Sequence, residues 1–272
     1  MVDNTIMNNT LKLGKLPVKQ DKRTIKFKNI LKTVALPEIP ESFDEDNSLG
    51  ITIVGSIYGN DTWGDCVIVG RANQTLRFES FEQGTIIPIT TQECLNEYWS
   101  EQGVTVSKCA LINWLRKVQR PDNGLVYLDS LKDWRTDGWN VGGKQYKIYA
   151  FASVNKEDQT EVKQALSILG GLQVGIQLTE GAMNQFNESR VWDVTKDDGK
   201  VLGGHAIYVL SYDKDGLTCI TWGKRQKMTW NWWNTYVDEC YAIVDNKDEW
   251  INNSKLDIEL LNSYLKEITG GA

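Results

Sequence analysis

The spacing of hydrophobic positions divides the sequence into two halves. From Cys66, the stretch "CVIVGRANQTLRF" places apolar residues at 66, 67, 69, 72 and 76, which is roughly the stripe of a helix. Further stretches with a helical pattern follow to about Trp139: "TQECLNEYWSEQG", "CALINWLRKVQR" and "VYLDSLKDWRTDGW". The pattern therefore predicts a helical half at about 60–140.

Near Lys144 the pattern changes to the alternation that is typical of strands. The stretches "KQYKIYAFASV", "LQVGIQL", "HAIYVLSYD", "LTCITWG" and "ECYAIV" predict strands joined largely by short turns. One helix, in "KEDQTEVKQALSILGG", lies among them, and "SKLDIELLNSYLKEITGG" predicts a last helix that stops at Gly270. We predict an α+β fold with an antiparallel β half at about 144–245 and a C-terminal helix within 246–272.

Residues 1–36 form a distinct basic segment before this body. The first 40 residues contain eight Lys or Arg against three acidic residues, although the whole chain has a net charge of −6. A solvated arm that lies across the acidic body explains this charge, and so does a docking arm for an acidic partner. We refer to residues 1–36 as the N-terminal arm.

Composition narrows the classes of function. The 272 residues are 41% hydrophobic and 24% charged, which is ordinary for a globular protein, and the acidic body gives no reason to expect nucleic-acid binding. The N-terminus lacks the apolar core of a signal peptide, and no apolar run reaches about 18 residues. We therefore expect a soluble protein of the producing cell's cytoplasm, without a membrane partner.

The numbers of cysteines and histidines limit which disulfides and metal sites the chain can form. The five cysteines form no CxxC pair, so we expect reduced thiols. The only histidine is His205, which excludes a multi-histidine metal site. We predict neither a metal nor a cofactor.

The stretch "GNDTWGDC", residues 59–66, concentrates candidate chemistry. Its glycines, Asn and Asp predict a tight turn, and Asp65 stands at the N-cap of the helix that begins at Cys66. A helix N-terminus lowers the pKa of a thiol, whereas a neighbouring carboxylate raises it. A nucleophile at Cys66 can meet a base at His205 on a facing strand. A buried structural cysteine and a structural histidine are the alternative interpretation.

Several motifs, taken together, resemble the papain-like cysteine peptidases. The stretch "LPEIPESFDEDNSLGITIVGSIYGNDTWGDC" is similar to the start of the mature family domain, and "EVKQALSILGGLQVGIQL" to its helix and strand before the histidine. The stretch "GGHAIYVLSYDKDGLTCITWG" resembles its His-Ala strand and Trp-Gly turn. The resemblance spans about 37–244 within a predicted domain of 37–245. It implies a papain-like fold with two halves packed around a cleft, and a thiol hydrolase for peptide or protein substrates.

The resemblance also implies catalytic roles. Cys66 matches the nucleophile and His205 matches the base. Asn60 lies six residues before the cysteine, where the family places the side-chain amide of its oxyanion hole. A turn residue bonded to local backbone is the alternative interpretation of Asn60.

The group that orients the histidine departs from the family pattern. The family reads Asn-Ser-Trp-Gly where this chain reads Ile220-Thr221-Trp222-Gly223, so Ile220 holds the position of the orienting Asn. Strand alternation predicts that Ile220 and Trp222 share one face, with Thr221 on the other. Thr221 is then an orienting candidate only if the strand register slips by one residue.

By the same resemblance, the predicted substrate cleft is lined by Gly64, Asp65, Asn123, Gly124 and Trp222. A helix-capping turn is the alternative for residues 123 and 124.

The motif variants also resemble a papain-like group encoded by phages and prophages. That resemblance keeps a second function open, a catalytically weak or inactive papain-fold structural protein such as a virion component, and it makes the virion a second expected location beside the cytoplasm. The N-terminal arm would then bind a virion or assembly partner. The arm is short for an inhibitory propeptide, so we expect it to run extended over the body or onto a neighbouring subunit.

Overall fold

The structure is a computed structural model that describes residues 11–32, 38–53, 55–104, 120–245 and 255–269. The helices in those ranges are α1 Glu45–Leu49, α2 Cys66–Gln83, α3 Thr91–Glu101, α4 Tyr127–Thr136, α5 Gln159–Leu169, α6 Glu180–Asn187, α7 Trp230–Tyr236 and α8 Ile258–Thr269. The strands are β1 Phe43–Asp44, β2 Trp139–Val141, β3 Lys144–Tyr146, β4 Ile148–Ser153, β5 Leu172–Thr179, β6 Val201–Tyr212, β7 Gly216–Thr221, β8 Lys224–Thr229 and β9 Val237–Asp245.

Helix α2 lies at the centre of the helical half, and Cys66–Ser80 is buried throughout. Its two arginines are buried in ion pairs: Arg71 donates to Glu97 at 2.6 Å, and Arg77 donates to both carboxylate oxygens of Asp46 at 2.8 and 3.0 Å. A buried charge is tolerated when it is paired and hydrogen-bonded. These pairs explain why the helix is buried on every side although its sequence shows only a partial apolar stripe.

The β half is an antiparallel sheet in the strand order β4-β9-β5-β6-β7-β8, and β1 pairs with β6 off this path. Strand β6 has the most neighbours in the sheet, and it carries His205 opposite Ile176 of β5. One hydrophobic cluster fills the β half and a second fills the helical half, where Cys66 and Ala206 meet. This architecture confirms the predicted α+β class.

The described part of the N-terminal arm packs into the body. Ile25, Phe27 and Ile30 are buried in the hydrophobic cluster of the β half, together with Leu256 and Leu261 near the C-terminus. Residues 11–32 thus lie across the body with exposed lysines such as Lys22 and Lys28, but the segment is not simply solvated, because its apolar side chains are buried. Apolar side chains are interleaved with the lysines of this segment, and a count of charges does not weigh them.

Some predictions lie outside the described residues. They concern residues 1–10 of the N-terminal arm, the helix predicted around Cys109, the boundary at 36–37 and the stop at Gly270. In the ranges that are described, no helix combines the length and the apolar character needed to cross a membrane.

Candidate active site

The turn before α2 places the Cys66 side chain against β6. Tyr58 and Gly59 adopt positive φ values of 49° and 102°, and α2 begins at Cys66 with Asp65 as its N-cap residue. The backbone N–H of Ala206 donates to Cys66 Sγ at 3.4 Å. Because Ala206 directly follows His205, the helix start and the histidine strand meet at this sulfur.

The His205 ring is held by two neighbours. Its Nε2 lies 2.7 Å from Thr221 Oγ1, and the ring stacks on the Trp222 indole at a centroid distance of 4.1 Å and an interplanar angle of 13°. Its Nδ1 has no hydrogen-bond partner among the described residues. No direct hydrogen bond joins Cys66 to His205 in the described part of the chain.

Thr221 rather than Ile220 contacts the histidine. Ile220 pairs with Tyr208 and packs in a small cluster with Tyr208 and Leu210. Strand β7 ends at Thr221, and Trp222 turns away from strand geometry with φ 43°. Alternation therefore stops there, and the prediction that Ile220 and Trp222 share one face is wrong. The register of β6 against β7 also shifts, between residues 209 and 211.

The Asn60 side chain is engaged locally. Its Nδ2 donates to the carbonyl oxygen of Trp63 at 2.9 Å, and the residue is buried. These contacts are those of the alternative interpretation, a turn residue bonded to nearby backbone. The role of Asn60 in an oxyanion hole stays a prediction.

Asp65 is fully buried, although it was predicted in the wall of the cleft. Burial raises the pKa of Asp65 well above the ordinary value, against the opposing hydrogen bonds of its own backbone amide and of the Asn60 side chain. Burial therefore favours the neutral acid, which weakens the opposition of Asp65 to a thiolate at Cys66.

Residues 11–16 of the N-terminal arm, hereafter the cleft segment, lie between the two halves of the molecule. On the β side, the N–H of Lys15 donates to the carbonyl oxygen of Gly204 at 3.2 Å, and Trp222 Nε1 donates to the carbonyl oxygen of Lys12 at 3.2 Å. Gly204 directly precedes His205. The cleft segment is therefore hydrogen-bonded to the histidine strand and to the tryptophan that stacks on the histidine.

The cleft segment is also bonded to the helical half. The N–H of Leu16 donates to the carbonyl oxygen of Leu125 at 2.8 Å, and the N–H of Leu125 donates to the carbonyl oxygen of Gly14 at 2.8 Å. The N–H of Lys12 donates to the carbonyl oxygen of Asn60 at 3.1 Å. Bonds to both walls show that the cleft is filled by the chain's own backbone.

Glycines allow this close approach. A Cβ on Gly14 would lie 1.8 Å from the carbonyl oxygen of Gly64, and one on Gly124 would lie 2.3 Å from the carbonyl oxygen of Gly14. Gly64 and Gly124, two predicted cleft residues, thus contact the cleft segment. Asn123 is exposed, and its N–H donates to Gln102. Sequence reasoning missed the cleft segment, whose signal was one glycine within "LKLGKL".

Burial sets the protonation state of the candidate catalytic pair. It raises the pKa of the Cys66 thiol to about 12, against the backbone amides of Ala206 and Gly14, which act in the opposite direction. Burial also lowers the pKa of His205 to about 3. With the cleft filled, the pair consists of a thiol and a neutral imidazole at neutral pH.

The fold is similar to the folds of solved cysteine proteases. Xylellain, a cysteine protease from Xylella fastidiosa, superposes with a TM-score of 0.62 at 14% identity, over 86% of this chain and 96% of that chain. A procathepsin B from Trypanosoma congolense gives a TM-score of 0.55 at 12% identity, over 89% and 90%. A cysteine protease from Carica candamarcensis gives 0.53 at 13% identity, over 77% and 100%.

These similarities concern the fold. No protein-family model matches the sequence, and no curated protein sequence matches it. The protein has the papain-like cysteine protease fold that the motifs predicted. The phage or prophage origin and the virion partner stay predictions.

Proposed function

We propose that the protein is a thiol hydrolase that cleaves a peptide or amide bond through an acyl-enzyme on Cys66. The observation that carries this proposal is the junction of α2 with β6. Cys66 Sγ accepts a hydrogen bond from Ala206, and the preceding residue, His205, is fixed by Thr221 and Trp222 with its Nδ1 unpartnered among the described residues.

Thr221 is the positioning residue of this mechanism. When Nε2 of His205 carries the ring proton and donates to Thr221 Oγ1, the lone pair is on Nδ1. Nδ1 then removes the thiol proton, and the thiolate attacks the carbonyl carbon of the substrate. His205 returns the proton to the leaving amine, and water later hydrolyses the thioester. The backbone N–H of Cys66 and the amide of Asn60 are the candidate oxyanion donors.

The filled cleft represents a closed form of this hydrolase. A substrate reaches Cys66 only after the cleft segment leaves, because the segment is bonded to both walls. Its departure lets water reach Cys66 and His205. Rehydration then moves both pKa values back toward their ordinary ranges, that of the thiol downward and that of the imidazole upward.

The test uses the full chain with Gly14→Val, because a side chain at Gly14 cannot coexist with the backbone of Gly64 in the closed form. We expect this variant to hydrolyse members of a mixed fluorogenic peptide library. Adding Cys66→Ser to this variant should reduce its turnover by about 10³-fold or more. Turnover that survives Cys66→Ser, or no turnover with any peptide, would contradict the proposal.

A second candidate is a papain-fold binding protein without turnover, and the neutral, buried state of Cys66 and His205 favours it. In that case the exposed lysines of the N-terminal arm, such as Lys22 and Lys28, supply the contact with an acidic assembly partner. Binding through exposed charges weakens as salt is added. An open variant with an unreactive Cys66 and salt-sensitive binding of such a partner would favour this candidate.

A further inference from the structure

One side chain of the cleft segment, Lys15, is bound more completely than its neighbours. Its side chain is 0% exposed, and Nζ donates to Asp238 at 3.0 Å and to Glu239 at 2.9 Å. By contrast, the Lys19 side chain is 53% exposed in its pair with Asp129. Removing a cation from water is costly unless the geometry compensates for it, so this site is built around a positive charge.

The site, hereafter the Lys15 pocket, belongs to the body and not to the cleft segment. Its carboxylates are held by other strand residues: Glu239 accepts from the Tyr241 hydroxyl at 2.9 Å, and Asp238 accepts from the Gln177 amide. These contacts do not involve Lys15. The pocket therefore keeps two positioned carboxylates on β9 when the segment leaves.

Two glycines provide the space for Lys15. A Cβ on Gly175 of β5 would lie 2.7 Å from Lys15 Cδ and 2.6 Å from Glu239 Cγ. A Cβ on Gly204 would lie 2.3 Å from the carbonyl oxygen of Lys15. Glycines at these two positions let a long side chain pass over the sheet to reach the carboxylates.

The Lys15 pocket lies beside the candidate catalytic pair. The backbone of Lys15 donates to Gly204, the residue before His205. A peptide that replaces the cleft segment along β6 runs over the same position. If it followed the path of the cleft segment, the side chain at the place of Lys15 would face Asp238 and Glu239.

We propose that the Lys15 pocket is a specificity site that selects a substrate with a lysine or arginine side chain at this position. The proposal rests on the proposed hydrolase function and adds the substrate class. An apolar side chain would leave the buried carboxylate of Glu239 and the half-buried one of Asp238 without a cation, and an acidic one would add a third negative charge. Asp238 Oδ1 has no hydrogen-bond partner among the described residues, so it can accept a second N–H from a guanidinium group.

The first experiment measures binding, so it does not depend on turnover. A fluorescein-labelled peptide "LKLGKLP", which copies residues 11–17, is titrated with the full chain carrying Gly14→Val and Cys66→Ser. We expect norleucine in place of Lys15 in the peptide to weaken binding about tenfold or more. Norleucine in place of Lys12, whose side chain is exposed, is the control and should change little. Equal affinity of the Lys15 and norleucine peptides, or no binding of the native peptide, overturns the proposal.

The second experiment changes the pocket. Asp238→Asn and Glu239→Gln should each reduce the preference for lysine over norleucine about tenfold, and the exposed Asp197→Asn should leave it unchanged. If Gly14→Val does not fold, Lys15→Glu serves as the open chain, because it sets a third carboxylate against the pocket. An unchanged preference in both pocket variants contradicts the proposal.

The outcomes separate this inference from the proposed function. A hydrolase that cleaves without preference for basic side chains keeps the function and overturns the Lys15 pocket as a specificity site. Selective binding of the lysine peptide by a chain that hydrolyses nothing keeps the pocket as a basic-peptide site and overturns the proposed function.

Discussion

The cleft segment contacts both the histidine strand and the Lys15 pocket, and the candidate catalytic pair and the pocket differ in how charge is balanced where they are buried. Cys66 and His205 have no ion-pair partner among the described residues, and burial outweighs the nearby charge of Lys15, so it favours the neutral form of each. In the Lys15 pocket burial also raises the pKa of Glu239, but the Lys15 ammonium opposes that rise. The ion pair with Lys15 therefore opposes the neutralisation of Glu239, whereas Cys66 and His205 have no such pair among the described residues.

The difference indicates what the departure of the cleft segment changes. The catalytic pair gains water, which favours an ionised thiol and a protonated imidazole. The Lys15 pocket loses its cation and is left with two carboxylates, so it gains affinity for a basic side chain. Departure of the cleft segment therefore activates the catalytic pair and empties the Lys15 pocket. Separate substitutions can perturb the pair and the pocket one at a time.

The largest expected effect follows from opening the cleft. Gly14→Val should increase the rate of Cys66 alkylation by iodoacetamide at pH 7.5 by about 100-fold or more, because the thiol pKa falls from about 12 toward its ordinary range. Alkylation at Cys66 is measured by mass spectrometry. The exposed arm variant Gln20→Ala is the control and should react at the wild-type rate. A Gly14→Val chain that stays unreactive would show that the segment does not protect the thiol.

The next effect is a dependence of stability on pH. Burial lowers the pKa of His205 to about 3 in the folded chain, below the unfolded value of 6.5, so its contribution is complete above pH 6.5 and is lost as the pH falls toward 3. Between pH 7 and pH 5, His205 should lower the free energy of unfolding by about 2 kcal/mol.

Urea denaturation of wild type and His205→Gln at both pH values measures this contribution. Other buried acids titrate in both proteins, so the difference between the two proteins isolates His205. The same loss of stability in both would show that the folded histidine is not kept neutral by burial.

A smaller effect should follow from removing the Thr221 hydroxyl, which contacts His205. Thr221→Val leaves Nε2 of buried His205 without its partner, at a cost of about 1–3 kcal/mol in the free energy of unfolding. In the open Gly14→Val chain it should also slow Cys66 alkylation, whereas Thr221→Ser should keep the fast rate.

Ile220→Asn is the matched negative control for the orienting role. It places a polar amide in the cluster of Tyr208 and Leu210, so it should reduce stability without changing the apparent pKa of Cys66. A lowered thiol pKa in Ile220→Asn would instead support Ile220 as the orienting position.

The smallest effect should come from Lys19, an exposed lysine of the N-terminal arm, and Lys15 provides the comparison. Lys15→Met removes the two ion pairs of a lysine side chain that is 0% exposed, and it should abolish much of the hydrogen-exchange protection of the cleft segment. Lys19→Met removes an exposed pair worth less than about 1 kcal/mol and should leave protection nearly unchanged. Equal loss in both variants would mean that the Lys15 pocket does not anchor the segment.

The sequence allowed the fold to be predicted, because motif order and the change from helical to alternating spacing both survive in the structure. Helix α2 begins at Cys66, as the turn signals indicated. These signals come from residues that are neighbours in the sequence, so they can be read before the fold is known. The catalytic roles of Cys66, His205 and Asn60 stay predictions that the experiments above test.

Two features were beyond sequence reasoning for physical reasons. The end of β7 and the positive φ of Trp222 bring Thr221 to His205, and strand alternation does not show where a strand stops. The lysines of the N-terminal arm have similar sequence surroundings, but only Lys15 meets Asp238, which lies more than two hundred positions along the chain. Contacts of that kind appear only after folding.

The most direct test of the account is the pH profile of Cys66 alkylation in the open Gly14→Val chain, with and without His205→Ala. If His205 is the base for Cys66, the apparent thiol pKa should lie well below 8.5 with the histidine and return to about 8.5 without it. Identical profiles centred near 8.5 in the two chains would contradict the claim that Cys66 and His205 act together.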